Sequence, residues 1–159
     1  MGCGCYAPSV MSGEGTSATL EDRRIAEAVR RVAGALGVPV VSAYLFGGRA
    51  EGRAHRESDL DLAVLLPPGR FADGRELFEV RLALASALMA ELHEDALDLI
   101  ILQEAPPHLA RRIVTGGRRV FCTDPGADAA FVRDVQLRAA DLEPFLRRTR
   151  TVKLRFLER

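Results

Sequence analysis

The sequence predicts an α/β (α+β) fold, a mixed β-sheet of about four strands with flanking helices. Three observations predict it. Strand and helix patterns are interspersed along the chain, which favours one sheet with helices packed on it. Two successive strands, over residues 40–46 and 59–66, have no helix between them, which argues against a purely parallel, doubly wound sheet. The 159 residues suit one compact domain with a real core.

The elements follow in order. Residues 1–18 are rich in Gly and Ser and read as a disordered leader, in which Met11 is an alternative start. Thr19 then reads as a helix cap, with Glu21 and Asp22 in the first turn and Ile25, Val29, Val32 and Leu36 at helical spacing. Gly37 ends that helix. The first strand, 40–46, stops at Gly47-Gly48, and a polar loop runs on to Ser58. The second strand, 59–66, is closed by Pro67-Pro68-Gly69. Residues 74–92 read as a helix carrying Leu77, Val80, Leu84, Leu88 and Leu92 on or near one face. A third strand spans 96–102, and Pro106-Pro107 opens a short helix to about 114. Gly116-Gly117 breaks it before a fourth strand at 118–122. Asp124-Pro125-Gly126 reads as a turn, and a last helix runs from about 127 to 146 or beyond. The predicted organisation is thus a leader, one domain over 19–150 and a C-terminal tail over 151–159.

Composition narrows the function. Lys and Arg number 22 and Asp and Glu 22, so the basic excess of a general nucleic-acid binder is missing, and no direct nucleic-acid binding is expected. No apolar run approaches the roughly 20 residues of a membrane span. The first residues lack the basic and apolar regions of a secretory signal. Cys3, Cys5 and Cys122 do not make a disulfide framework, and a cytoplasmic protein is expected.

The chemistry concentrates in one stretch. In Asp59-Leu60-Asp61-Leu62-Ala63-Val64, strand alternation puts Asp59 and Asp61 on one face and the apolar residues on the other. Neighbouring carboxylates repel, and a hard divalent cation relieves that repulsion while accepting substrate phosphates. The preceding Gly47-Gly48 lets backbone N–H groups approach phosphate without a side chain in the way. Asp98 is the one charged residue in Leu97-Asp98-Leu99-Ile100-Ile101-Leu102, and on an inner strand it needs a partner. Singly, each acid could be a turn or surface residue. Jointly they point to a site that aligns a hydroxyl with a nucleotide α-phosphate.

The run from Leu45-Phe46-Gly47-Gly48-Arg49 through Ser58-Asp59-Leu60-Asp61 resembles the signature of the DNA polymerase β-like nucleotidyltransferase superfamily: Gly-Ser, a gap of ten, then Asp-x-Asp. Within it, the chain is most similar to the minimal nucleotidyltransferases of the MntA type, antitoxin partners of HEPN-domain ribonuclease toxins. Leu97–Leu102 followed by Ala105-Pro106-Pro107, the Gly116–Phe121 run and Asp141-Leu142 extend the likeness over about residues 20–150.

The resemblance implies Mg²⁺, ATP as co-substrate and transfer of AMP to a tyrosine of a cognate HEPN toxin. It implies Asp59 and Asp61 as metal ligands, and Asp98 as a metal ligand or as the activator of the acceptor hydroxyl. Gly47, Gly48, Arg49 and Ser58 would bind the nucleotide, although Arg49 also reads as a solvated loop residue. Gly48 stands where the family usually has Ser, removing one hydroxyl contact worth about 0.5–1.5 kcal/mol. Two alternatives stay open: a small-molecule, aminoglycoside-like nucleotidyltransferase, and a non-catalytic antitoxin acting by binding alone. His55, in the loop, His93 and His108 read as ordinary loop or surface residues. Arg111, Arg112, Arg118 and Arg119 form a basic stretch, read as solvated faces or a surface for an acidic partner.

Overall fold

A computed structural model describes residues 18–50, 52, 59–71 and 73–157, with side chains described as far as Asp141. The first helix, α1 (Leu20–Leu36), opens with a reciprocal cap: Thr19 Oγ1 accepts from the Asp22 N–H at 3.1 Å, and the Thr19 N–H donates to Asp22 Oδ2 at 3.0 Å. It closes on Gly37, whose φ of 63° is the left-handed conformation that glycine adopts without a Cβ penalty. Strand β1 (Ser42–Phe46) follows and runs directly into a four-residue helix, α2 (Gly47–Ala50). The sequence reads those four residues as the start of a loop. They wind into a turn of helix because Gly47 reverses the chain at φ 71°, and Arg118 Nη1 donates to the Ala50 carbonyl at 3.2 Å.

Strand β2 (Leu60–Leu65), helix α3 (Gly74–Leu92), strand β3 (Leu97–Ile101), helix α4 (Pro107–Gly116), strand β4 (Arg118–Cys122) and helix α5 (Pro125–Leu157) complete the order. Helix α5 starts two residues before the expected position. Pro125 fits the first helical turn, where its missing N–H costs nothing, and Asp124 Oδ1 accepts from the Ala127 N–H at 2.9 Å. Its backbone helix continues through 151–157, residues the sequence reads as a tail. The leader over residues 1–17, with Met11, lies outside the described residues.

The sheet has the order β3-β2-β1-β4 and is mixed, as expected: β1 pairs antiparallel with β2 and β4, and β2 pairs parallel with β3. The parallel pair needs a crossover, and α3 supplies it. Period-two alternation divides the core between the two faces of the sheet. Ala43, Leu45, Leu60, Leu62, Val64, Leu99 and Ile101 pack with Ile25, Val29, Val32 of α1 and Leu84, Leu88, Leu92 of α3. Tyr44, Ala63 and Leu65 pack on the other face with Ala110, Ile113 of α4 and Val135 of α5. No helix among the described residues is long and apolar enough to cross a membrane.

Candidate active site

Asp61 belongs to the face covered by α4 and α5, at the entry end of β2. Its register partner on one side is Phe46, the last residue of β1, and on the other side Asp98 of β3. One row across three strands therefore carries the end of β1, Asp61 and Asp98, and the Gly47-Gly48 turn leaves from that row. Asp59 sits just before β2, two residues from Asp61, and is exposed, as is Asp98; Asp61 is half-buried.

Burial raises the Asp61 pKa above the ordinary carboxylate value, and the charges of Asp98 and then Asp59 push it further in the same direction, while Arg49 opposes them. Among the described residues no three His, Cys, Asp or Glu side chains converge tightly enough to close around an ion. Mg²⁺ asks for less, since it keeps several waters and takes one or two carboxylates plus substrate phosphates. A cation beside Asp61 would offset the burial and the neighbouring charges that raise its pKa, so the carboxylates present fit Mg²⁺ in chemistry.

The two glycines of the turn differ sharply. A Cβ built on Gly47 would run into Asp61 Oδ2 and lie 2.9 Å from Asp61 Cγ, and φ is positive there. At Gly48 a Cβ would meet nothing within 4 Å, and φ is not positive. Gly47 is therefore demanded by the close approach of Asp61, whereas Gly48 has room for a side chain.

Arg49, read from sequence as a nucleotide ligand or a solvated loop residue, is mostly buried in an ion-pair network. Its side chain is 16% exposed; Nη1 and Nη2 donate to Glu94 at 3.0 and 2.9 Å, and Nη1 reaches Glu21 at 3.4 Å. The pair is mutually stabilised: hydrogen bonding from Arg49 holds the Glu94 pKa down, and hydrogen bonding to Glu94 raises that of Arg49. No sequence signal joins these residues, because they are 45 positions apart.

The basic stretch at 118–119 corrects the expectation of solvated faces. Arg118 donates to Asp22 at 2.8 Å, and Arg119 to Asp128 at 2.7 Å. Asp128 is 1% exposed and also accepts from Ser42 Oγ at 2.6 Å and Tyr44 Oη at 2.7 Å, fastening α5 to the sheet. Burial, then the Asp128 contact, pushes the Tyr44 hydroxyl far above its ordinary pKa. Arg111 and Arg112 are exposed on α4, and His108 is exposed in its first turn. His93 caps α3 at φ 50°. Ser58 and His55 lie outside the described residues.

A hollow of about 170 Å³ adjoins the turn, walled by Phe46, Gly47, Leu109, Arg112 and Ile113. A larger apolar groove of about 390 Å³ lies between α4, α5 and the far ends of β2 and β3, and none of the three acids lines it.

Residues 37–126, more than half of the chain, match the family described as Polymerase beta, Nucleotidyltransferase. Over 94 residues the chain is 32% identical to Protein adenylyltransferase MntA of Shewanella oneidensis; the match covers 59% of this chain and 63% of that relative's length. Among solved structures it is similar to a toxin–antitoxin complex with AMP-PNP, at 26% identity and a TM-score of 0.61, over 88% of this chain and 100% of the other. A tri-AMPylated Shewanella oneidensis HEPN toxin in complex with MNT antitoxin matches at 23% identity and a TM-score of 0.56, over 88% and 98% of the two chains, a likeness of fold.

Proposed function

The chain belongs to the polymerase β nucleotidyltransferase family, and from that premise we propose that it is a Mg²⁺-dependent protein adenylyltransferase and antitoxin. It transfers AMP from ATP to a tyrosine of a cognate HEPN ribonuclease toxin, in the cytoplasm. The observation that carries this reading is the row formed by the glycine turn, Asp61 and Asp98 at one end of the sheet. The 32% identity to an adenylyltransferase and the AMP-PNP complex at 26% identity support the activity and the nucleotide. The HEPN partner rests on what those relatives act with.

The roles follow from position. The backbone N–H groups of Gly47 and Gly48, with Ser58 ahead of the second strand, receive the triphosphate. Asp61, on β2, and Asp59, just before it, would hold Mg²⁺. When bound, the ion neutralises charge on the phosphate oxygens and lowers the pKa of a hydroxyl beside it. Asp98, beside Asp61 in register, takes the proton of the tyrosine hydroxyl. That oxygen then bonds to the α-phosphorus as the bond to the pyrophosphate oxygen breaks. The Gly47 turn lies close against the Asp61 carboxylate, which brings phosphate-binding amides and metal-binding acid together.

Incubation with α-labelled ATP, Mg²⁺ and a HEPN protein tests the proposal: label is expected on a toxin tyrosine and is lost in Asp59→Asn/Asp61→Asn. Label on an aminoglycoside instead would sink it. A second reading is favoured by Gly48, which lacks the family's hydroxyl: inhibition by binding alone. If the double variant protects cells from the toxin as well as wild type does, that second reading replaces the first.

A further inference from the structure

The glycine turn is held by an ion-pair network outside the carboxylate row, and this device deepens the nucleotidyltransferase reading on which it rests. We propose that Glu94 is a positioning residue: through Arg49 it fixes the phosphate-binding turn against the strand that carries Asp98.

The geometry is specific. Arg49 is the third residue of α2, and its two terminal nitrogens grip both oxygens of Glu94 at 3.0 and 2.9 Å. A bidentate guanidinium–carboxylate pair fixes orientation as well as distance. Glu94 lies in the α3–β3 connection, directly after the left-handed cap at His93 and four residues before Asp98. Its backbone N–H is itself fixed, donating to the Met89 carbonyl at 3.1 Å. The same Arg49 reaches Glu21 in the first turn of α1. A second arginine closes the frame: Arg118 donates to Ala50 O, the last carbonyl of α2, and to Asp22, the neighbour of Glu21. The second half of the four-residue α2 is thereby tied: Arg49 joins it to α1 and to the approach to β3, and Ala50 joins it to Arg118, which itself holds α1. So short a helix cannot hold its own shape, since nucleation is unfavourable below about a dozen residues. Its conformation is imposed by these ties.

The side chains of Arg49 and Glu94 are 16% and 21% exposed, so the pair is screened less than a surface ion pair. Arg49 also lies within electrostatic reach of Asp61. A change at Glu94 therefore reaches the site by way of the turn, with no substituted atom in contact with nucleotide.

The test uses the full chain, with Glu94→Ala and the milder Glu94→Gln, which keeps one hydrogen bond. Hydrogen exchange is read at the amides of residues 47–50, binding of Mg²⁺–AMP-PNP by calorimetry, and folding by thermal melting. In Glu94→Ala, exchange at 47–50 is expected to rise about tenfold and the Kd about fivefold, with the melting temperature within about 3 °C of wild type. Glu94→Gln should fall between. Unchanged exchange and affinity in Glu94→Ala overturn the proposal, and so does a general loss of protection across α1 and β1, which marks a merely structural contact. The outcomes separate from those of the parent reading. Tight AMP-PNP binding without transfer to a HEPN protein removes that acceptor and leaves the clamp standing. A wild-type chain that binds no Mg²⁺–AMP-PNP overturns both.

Discussion

Gly48→Ser adds a hydroxyl to the glycine turn, and the structure sets how large the effect should be. A Cβ at position 48 meets nothing within 4 Å and the backbone φ is not positive, so neither crowding at Cβ nor a left-handed backbone opposes the substitution. The gain is one hydroxyl hydrogen bond to the nucleotide, worth about 0.5–1.5 kcal/mol, or a factor of about 2–12 in affinity. The charge on a phosphate favours the upper end. Gly47→Ser is the matched control one position away. There the positive φ costs about 1–2 kcal/mol on its own, and the new side chain must displace Asp61. Calorimetric titration with Mg²⁺–AMP-PNP reads both: tighter binding for Ser at 48, loss of binding and a lower melting temperature for Ser at 47. If Ser at 48 leaves affinity unchanged in a protein that melts normally, the turn does not bind phosphate. If Ser at 47 binds as wild type does, the close packing against Asp61 is irrelevant to the site.

Asp61→Asn should raise the melting temperature of the metal-free protein at neutral pH and abolish any stabilisation by added Mg²⁺. The sign follows from the raised pKa: ionised Asp61 disfavours the fold above its folded pKa, and this is relieved as pH falls through that value. A wild-type stability curve that shows no such relief, or an Asn variant still stabilised by Mg²⁺, counts against it. Asp128→Ala should cost about 2–4 kcal/mol in urea denaturation, because it strands the buried Ser42 and Tyr44 hydroxyls; the half-exposed Arg119 adds little. Thr19→Ala removes the cap of α1 and should cost about 1 kcal/mol by the same measurement. Asp22, whose pKa is lowered on balance because hydrogen bonds from Thr19 and Arg118 outweigh burial, should lose its stabilising share as pH falls through its folded pKa.

Local signals carried the elements well where they were strong. The Thr19 cap, the Gly37 stop, the extent of the third helix and the strand at 118–122 each rest on residues within a few positions of one another, and the structure has them. The mixed sheet followed from two strands with no crossover between them. The gathering of Asp61 and Asp98 was legible in part, since alternation fixes a face but not a register; only the β2–β3 pairing puts the two side by side. What stayed hidden was long-range and ionic. Nothing local singles out Asp128, yet it meets residues more than 80 positions away. Nothing in the spacing of charges says which of many arginines will find which acid.

The contact between Gly47 and Asp61 has a consequence for how such chains diverge. The carboxylate oxygen fills the volume a side chain at 47 would need, so position 47 is not free to vary while the acid stays. A lineage that keeps the acid is bound to keep the glycine, fourteen residues earlier, at every generation. Loss of the acid would lift that bar, although the positive φ would still favour glycine. A chain of this kind with a bulky residue at 47 is therefore expected to lack the acid at 61, which makes position 47 a record of whether catalysis is still under selection.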